Sequence, residues 1–520
     1  MGEAILNFYN SKIKKQYKFA FISSFFISLM IHLYKFTNTL PNRDSLYNYY
    51  ADQNVLEAGR WALSWACGIS SYYDLPWING LMSCLFLALT VVVIVALLRI
   101  KNPVLIFLTG GLLAASPATT ETFYFLFTAD GYMLSMFLAA LAVYFSRIDE
   151  KRELYQLAAV VCICISCGIY QAYVSFALIL SVCYFIKELF EGKYDKKTCE
   201  KWVLRQIVIY VVALASYYMI WKWYMLLSGV IPTSYQGISQ VGKVSLGLFL
   251  NGAISAVKTT VLYFLQWNIL EKGISFYCAL SLFLFIAFIG GVIIAFVKSK
   301  LWTRKWAVVF LVLCLLSIAP FACIWHFTSD FVRYRVMMLQ SLTLLFVLVG
   351  VLWEEWGNTA GKNMVCLFLM LTIFNNALLA NISYYYMNLC YERTYADGLE
   401  MMIKIHNFQD KYNFNKIAVL GNRRYELDPQ NIDSQLKKLQ TYGKLHTLNK
   451  LQEKTLLYDS DHTTKFLQVT FGLDLKVENL VQRNTLLSTE KVQSMGVWPA
   501  DDSMAVIGDT LVIKLSDRKE

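Results

Sequence analysis

Charge is what this chain has least of. Only 16% of its 520 residues are Asp, Glu, Lys or Arg, against about 25% in soluble domains. A large water-soluble core is thereby excluded. Proline is also scarce, with 8 residues, so long helices meet few breaks. Cysteine is absent after Cys390, and most of the 12 cysteines lie inside apolar runs, such as Cys162, Cys164 and Cys167. This excludes a disulfide framework in the C-terminal part and any CxxC metal pattern; small apolar packing residues explain them better. No Gly-rich phosphate loop and no zinc-ligand spacing occurs. No clustered basic face appears, so a nucleic-acid partner is not expected. The first apolar run is too long for a cleaved signal peptide, and no small-residue cleavage site follows it.

What is present is hydrophobic sequence: 57% of residues are apolar and 15% aromatic. Runs of about 20 apolar residues can cross a bilayer as helices. Lysine and arginine are biased toward the cytoplasmic ends of such helices. Lys12, Lys14, Lys15 and Lys18 precede the first run, Phe19–Phe36, which places the N-terminus inside. Inward ends then follow at Arg99 and Lys101, at Arg147–Arg152, at the basic loop Lys187–Arg205, at Lys298–Lys305, and at Glu354–Glu355. About 11 transmembrane helices result, with the C-terminus outside. One moderately apolar stretch, Val244–Ile269, would flip everything after it if it crossed. The cations after Val297 argue that it stays interfacial or re-entrant.

Residues 1–385 therefore read as a transmembrane domain and residues 386–520 as a small extracytoplasmic α/β domain. From Tyr386 on, 18 cations balance 18 anions, so the net charge of +11 belongs to the membrane part. Tyr395–Tyr412 has helical character and Lys416–Leu420 reads as a strand. Met504–Ile507 and Leu511–Leu515 read as a hairpin turning at Gly508-Asp509.

The external face collects acids and arginines beyond what orientation requires. Asp44 follows the first span within Asn42-Arg43-Asp44. It is the candidate base for removing a proton from an acceptor hydroxyl; pairing with Arg43 or capping a helix at Ser45 is the competing explanation. Arg60, Arg333 and Arg335 are candidates for a phosphate, with Lys222 as a further cation. Glu57–Trp65 reads as a short interfacial helix with Trp61 and Trp65 one turn apart, where Arg60 could equally snorkel. Glu121, in the external connection Ala118–Ala129, and Asp130, opening the fourth span, are candidates for sugar hydroxyls; Asp130 could instead be an N-cap. Tyr170 and Gln171, at the tip of a helical hairpin, could bind a sugar or anchor at the interface. His326 reads as structural. An anionic, membrane-held substrate fits this set. No cytoplasmic nucleotide-sugar domain is visible, so a sugar donor would arrive on a lipid.

Several short motifs resemble the serotype-converting glucosyltransferases, the Gtr type II family of the GT-C class. They are Asn42-Arg43-Asp44, Gly59-Arg60-Trp61, Phe127-Thr128-Ala129-Asp130-Gly131-Tyr132 and Gly168-Ile169-Tyr170-Gln171-Ala172-Tyr173. The tail Val497-Trp498-Pro499-Ala500-Asp501-Asp502-Ser503-Met504 and Leu511-Val512-Ile513-Lys514 completes the resemblance. It implies a GT-C-like fold in a bacterial cytoplasmic (inner) membrane and an undecaprenyl-phosphate-glucose type of polyprenyl phosphate donor. It also implies hexose transfer, inverting, onto an O-antigen or other surface glycan. By that resemblance Asp44 is the base; Arg43 beside it is a mild departure from the family's pattern, and could lower the acid's pKa or hold the donor phosphate. A lipid-linked oligosaccharide flippase or transporter, and an O-antigen polymerase, are the rival readings. Acids and arginines at span ends rather than at mid-membrane depth favour the enzyme. No cofactor is required by anything in the sequence, which is silent on a divalent metal.

Overall fold

The computed structural model describes residues 13–233, 245–265, 276–327, 336–422 and 455–518. Arg333, Arg335, Asp330 and most of the Pro232–Gly237 loop lie outside the described residues. The chain divides into two compact units. Unit 1 comprises residues 1–37, 51–381 and 441–446; unit 2 comprises 38–50, 382–440 and 447–520.

Unit 1 is helical: α1 Lys15–Thr37, α2 Leu63–Gly68, α3 Pro76–Leu97, α4 Pro103–Ala115, α5 Pro117–Tyr124, α6 Leu126–Phe145 and α7 Glu153–Ile169. It continues with α8 Tyr173–Glu191, α9 Lys196–Ser228, α10 Leu246–Leu265, α11 Phe276–Lys298, α12 Lys305–Ala322, α13 Gln340–Trp356 and the first part of α14 Thr359–Gln409. Among the described residues ten helices are long and apolar enough to cross a membrane, or eleven with the bent pair α4–α5. The protein is a multi-pass membrane protein. Local chemistry sets the helix starts. Asn102 accepts a hydrogen bond from the Val104 N–H at 2.9 Å and Ser116 one from Ala118 at 3.3 Å, each followed by proline at the first helical position. The cap at Ser116 is why α4 and α5 meet at 42° instead of forming one rod.

One face of unit 1 gathers the cation-rich helix ends. Arg99, after α3, pairs with Glu188 and with Glu191 at 2.9 Å at the end of α8. Lys187 joins Glu191 at 2.5 Å and Glu355 at the end of α13. Arg304, before α12, donates to the Leu189 carbonyl at 3.0 Å. Arg205 of α9 donates to the Glu150 carbonyl at 2.6 Å, and Trp202 to Ser146 at 2.8 Å. The opposite ends of α6, α7, α8 and α9 meet around Arg60.

These two faces locate α10. Its Thr259 hydroxyl lies 3.0 Å from His326 Nε2, just past the end of α12. Further along it, Phe264 packs against Phe346 and Phe285, with ring centroids 5.4 and 5.9 Å away. Those phenylalanines sit midway along α13 and α11. The described turns of α10 thus run from beside the end of α12 to the middle of α11 and α13, and its length and composition would allow a crossing.

Among its described residues unit 2 carries a four-stranded sheet of order β2-β1-β4-β3, with β1 Lys416–Leu420, β2 Lys476–Val477, β3 Met504–Ile507 and β4 Thr510–Lys514. Central β1 runs parallel to both neighbours, and β3–β4 is the antiparallel hairpin. Ile417-Ala418-Val419-Leu420 is buried on both faces, as a strand with two covered sides must be. One face packs Ile417 and Val419 against Met401 and Ile405 of α14 and Phe466 and Leu467 of α15 Ser460–Phe471. The other packs Ala418 and Val512 against Leu487 of α16 Leu480–Leu487 and Val492 of α17 Glu490–Gln493. Trp498 donates to Asp397 of α14 at 2.6 Å. Leu46, from the stretch after the first span, is fully buried in the same core.

Candidate active site

In unit 1 three motifs distant in sequence converge on Arg60. The segment begins with a 3-10 turn, Leu56–Ala58, and closes at Gly59 with φ of 75°. A Cβ there would fall 2.5 Å from the Tyr217 hydroxyl and 2.7 Å from Gln171 Nε2, so only glycine fits. Those same groups hold the turn. Gln171 donates to the Ala58 carbonyl at 2.8 Å and to Tyr217 at 2.9 Å, Tyr217 donates to the Gly59 carbonyl at 3.0 Å, and Trp221 to Leu56 at 2.7 Å. Arg60 is thereby aimed at two stacked tyrosines. It donates to the Tyr132 hydroxyl at 2.9 Å and lies 4.8 Å from the Tyr170 ring centroid, and the two rings stack at 4.4 Å. A guanidinium held by its faces and one edge keeps its fork geometry for an anion.

Trp61 is buried, not interfacial as expected from sequence. Its indole occupies the space over Gly168, where any Cβ would lie 2.6 Å from it, and stacks with Tyr224 at 6.2 Å. Only Trp65 is exposed, so the expected Glu57–Trp65 helix is replaced by the 3-10 turn and the short α2. Tyr170 is 6% exposed and sits under Arg60, and Gln171 is spent on the turn. Neither stands at an interface as an anchor.

The acids of unit 1 also move inward. Residues 118–124 form the buried helix α5, not an external connection, and Glu121 is 2% exposed. Asp130 lies one turn inside α6, whose N-cap is Phe125, so it caps nothing. It accepts from the Ser70 hydroxyl and from the Gly131 N–H at 2.9 Å. Nearby Asp74 was invisible as a site residue in the sequence. One of its oxygens is fully buried with no hydrogen-bond partner among the described residues. Burial pushes its carboxyl up to about 6, against the pull of Lys35, itself buried near the end of α1. Lys222 lies within α9, which runs on to Ser228, and is exposed with its ammonium 5.5 Å from the Tyr218 ring and 5.6 Å from the Trp221 ring. His326 binds Thr259, as a structural residue would.

In unit 2 the Asn42-Arg43-Asp44 stretch is a built turn. Asn42 Oδ1 accepts from the Ser45 N–H at 2.8 Å, and Ser45 Oγ accepts from the Asn42 N–H at 3.2 Å. A 3-10 helix, Asp44–Tyr47, follows. Asn42, not Asp44, thus serves Ser45. The Asp44 side chain is exposed, and Arg43 stacks on the Tyr458 ring at 4.6 Å. His462 and Asp459 beside this turn carried no sequence signal, because their partners are far away in the chain.

Within unit 1 a braced guanidinium and buried acids are the parts of an anion-handling centre; within unit 2 the exposed Asp44 carboxylate is a group able to take a proton. No curated protein and no solved structure matches the chain. Residues 33–349 match the glucosyl transferase GtrII family. That match spans more than half of the sequence and includes the Asp44, Arg60, Asp130 and Tyr170 motifs, so the chain belongs to the GtrII glucosyl transferase family.

Proposed function

We propose that the protein moves a hexose, glucose by family, from a polyprenyl phosphate carrier to a surface glycan on the outer side of the bacterial cytoplasmic membrane. The observation that carries this reading is the Arg60 guanidinium braced by Tyr132 and Tyr170 within the family-matched region. The Arg99 face, with its cations at helix ends, is the cytoplasmic one by the charge bias. The Arg60 face and unit 2 are then extracytoplasmic and α10 is re-entrant; with the bent pair α4–α5 as one span and the shorter apolar helix α7 as another, eleven helices cross in a GT-C-like arrangement. The N-terminus is inside and the C-terminus outside.

In the proposed inverting step, Asp44 takes the proton of an acceptor hydroxyl. The freed oxygen bonds to the anomeric carbon while that carbon's bond to the phosphate oxygen breaks. Polyprenyl phosphate leaves, and Arg60 offsets the charge that grows on it. Glu121 and Asp130 help shape the sugar pocket; Arg43, Lys222, Arg333 and Arg335 remain supporting cations. Purified protein supplied with polyprenyl-phosphate-glucose and a candidate glycan should release polyprenyl phosphate in step with sugar transfer. Asp44→Asn should lower turnover about 10²–10⁴-fold. Arg60→Ala should weaken donor use with the fold intact. Glycan relocated or polymerised without such release would sink the proposal.

A further inference from the structure

Within unit 2 the Asp44 turn rests on a side-chain assembly that no motif of the sequence marks. Asp459 begins α15 as its N-cap, accepting from the His462 N–H at 2.8 Å. The same carboxylate oxygen holds His462 Nδ1 at 2.6 Å. The other ring nitrogen, Nε2, lies 3.2 Å from the Tyr458 hydroxyl. Both nitrogens are engaged, so the imidazole cannot turn without breaking a hydrogen bond. Its ring meets the Tyr47 ring edge to face, with centroids 4.9 Å apart at 88°. Tyr458 in turn lies under the Arg43 guanidinium.

Tyr47 ends the 3-10 helix that Asp44 begins. In a 3-10 helix the side chains at i and i+3 eclipse one another. The contact made by Tyr47 therefore sets the azimuth of Asp44. Capping alone would need only the Asp459 carboxylate and a backbone N–H; a histidine whose second nitrogen is also bound exceeds that need.

We infer that His462, oriented by Asp459 and Tyr458, is a positioning residue that fixes through Tyr47 the direction in which Asp44 is presented. This rests on the reading of Asp44 as the base. A displacement of about 1 Å in a reacting group can cost on the order of 10²-fold in rate, so loss of the imidazole wall should reach kcat.

The test uses the full-length protein with polyprenyl-phosphate-glucose as donor. His462→Gln should lower kcat about 10-fold or more, leaving donor KM and the unfolding temperature near wild type. His462→Phe, which keeps a ring against Tyr47, should recover part of kcat. Tyr47→Leu should lower kcat similarly, and Tyr47→Leu with His462→Gln should be no worse than the stronger single variant, because both act through one contact. An unchanged kcat in His462→Gln overturns the inference. So does a loss matched by a fall in unfolding temperature, or a double variant whose losses multiply. Asp44→Asn separates the two claims: wild-type transfer there sinks the base reading, whereas an inactive Asp44→Asn with a fully active His462→Gln sinks the positioning role alone.

Discussion

Replacing Gly59 by alanine tests whether the turn, and not the arginine alone, makes the Arg60 site. At φ of 75° an alanine costs about 1–2 kcal/mol in left-handed strain. Its Cβ would also press on the Tyr217 hydroxyl at 2.5 Å. That hydroxyl cannot retreat without giving up its bonds to the Gly59 carbonyl at 3.0 Å and to Gln171 at 2.9 Å. Each is worth about 1 kcal/mol net. The combined cost is roughly 3–4 kcal/mol, concentrated on the residue before Arg60. We expect Gly59→Ala to weaken donor use at least 10-fold, measured as kcat/KM for polyprenyl-phosphate-glucose, with a lower unfolding temperature in detergent. Tyr217→Phe alone should lose about 2 kcal/mol through the same two bonds. Combined with Gly59→Ala, it removes the obstructing oxygen, so the double variant should cost clearly less than the two single losses together. Wild-type behaviour of Gly59→Ala, or strictly additive losses, would refute the reasoning.

Other expectations follow from the same geometry. Arg60→Lys keeps the charge but loses the planar fork stacked on Tyr170, so donor KM should rise several-fold, read by donor titration. Asp74 holds its proton more tightly folded than unfolded, so the native state binds more protons between the ordinary carboxyl value and about 6. Stability should therefore fall as pH rises through roughly 4 to 6, and Asp74→Asn should flatten that slope in thermal unfolding. Leu46→Ala removes a fully buried side chain from the unit 2 core. It should cost about 2–5 kcal/mol and lower transfer by loosening the Asp44 turn, measured as a denaturation midpoint alongside turnover.

Much of this was legible in the residues. Apolar length and cation placement located the helices, because a bilayer demands length and its cytoplasmic side favours lysine and arginine. The same charge bias set Val244–Ile269 apart from the other runs, whereas by length and composition alone α10 could cross. Short apolar runs on either side of Gly508-Asp509 marked the hairpin that β3 and β4 form. These signals are local, lying within one element and its flanks.

What only the tertiary structure decided is which distant residues share a place. Gln171 secures Ala58 across 113 positions, and Tyr132 and Tyr170 stack only because the start of α6 lies beside the end of α7. Glu121 looked external because its neighbours are polar, yet the bend at Ser116 turns that segment back among the helices. Asp74 gained its raised carboxyl from burial near Lys35, 39 positions earlier in the chain. Asp44 could be singled out from sequence as an acid after a span, but its grouping with unit 2 comes from Leu46 in that core and from Tyr47 against His462. Composition and periodicity fix what each segment can become; the pairing of side chains far apart in the chain is set by packing, which no local pattern encodes.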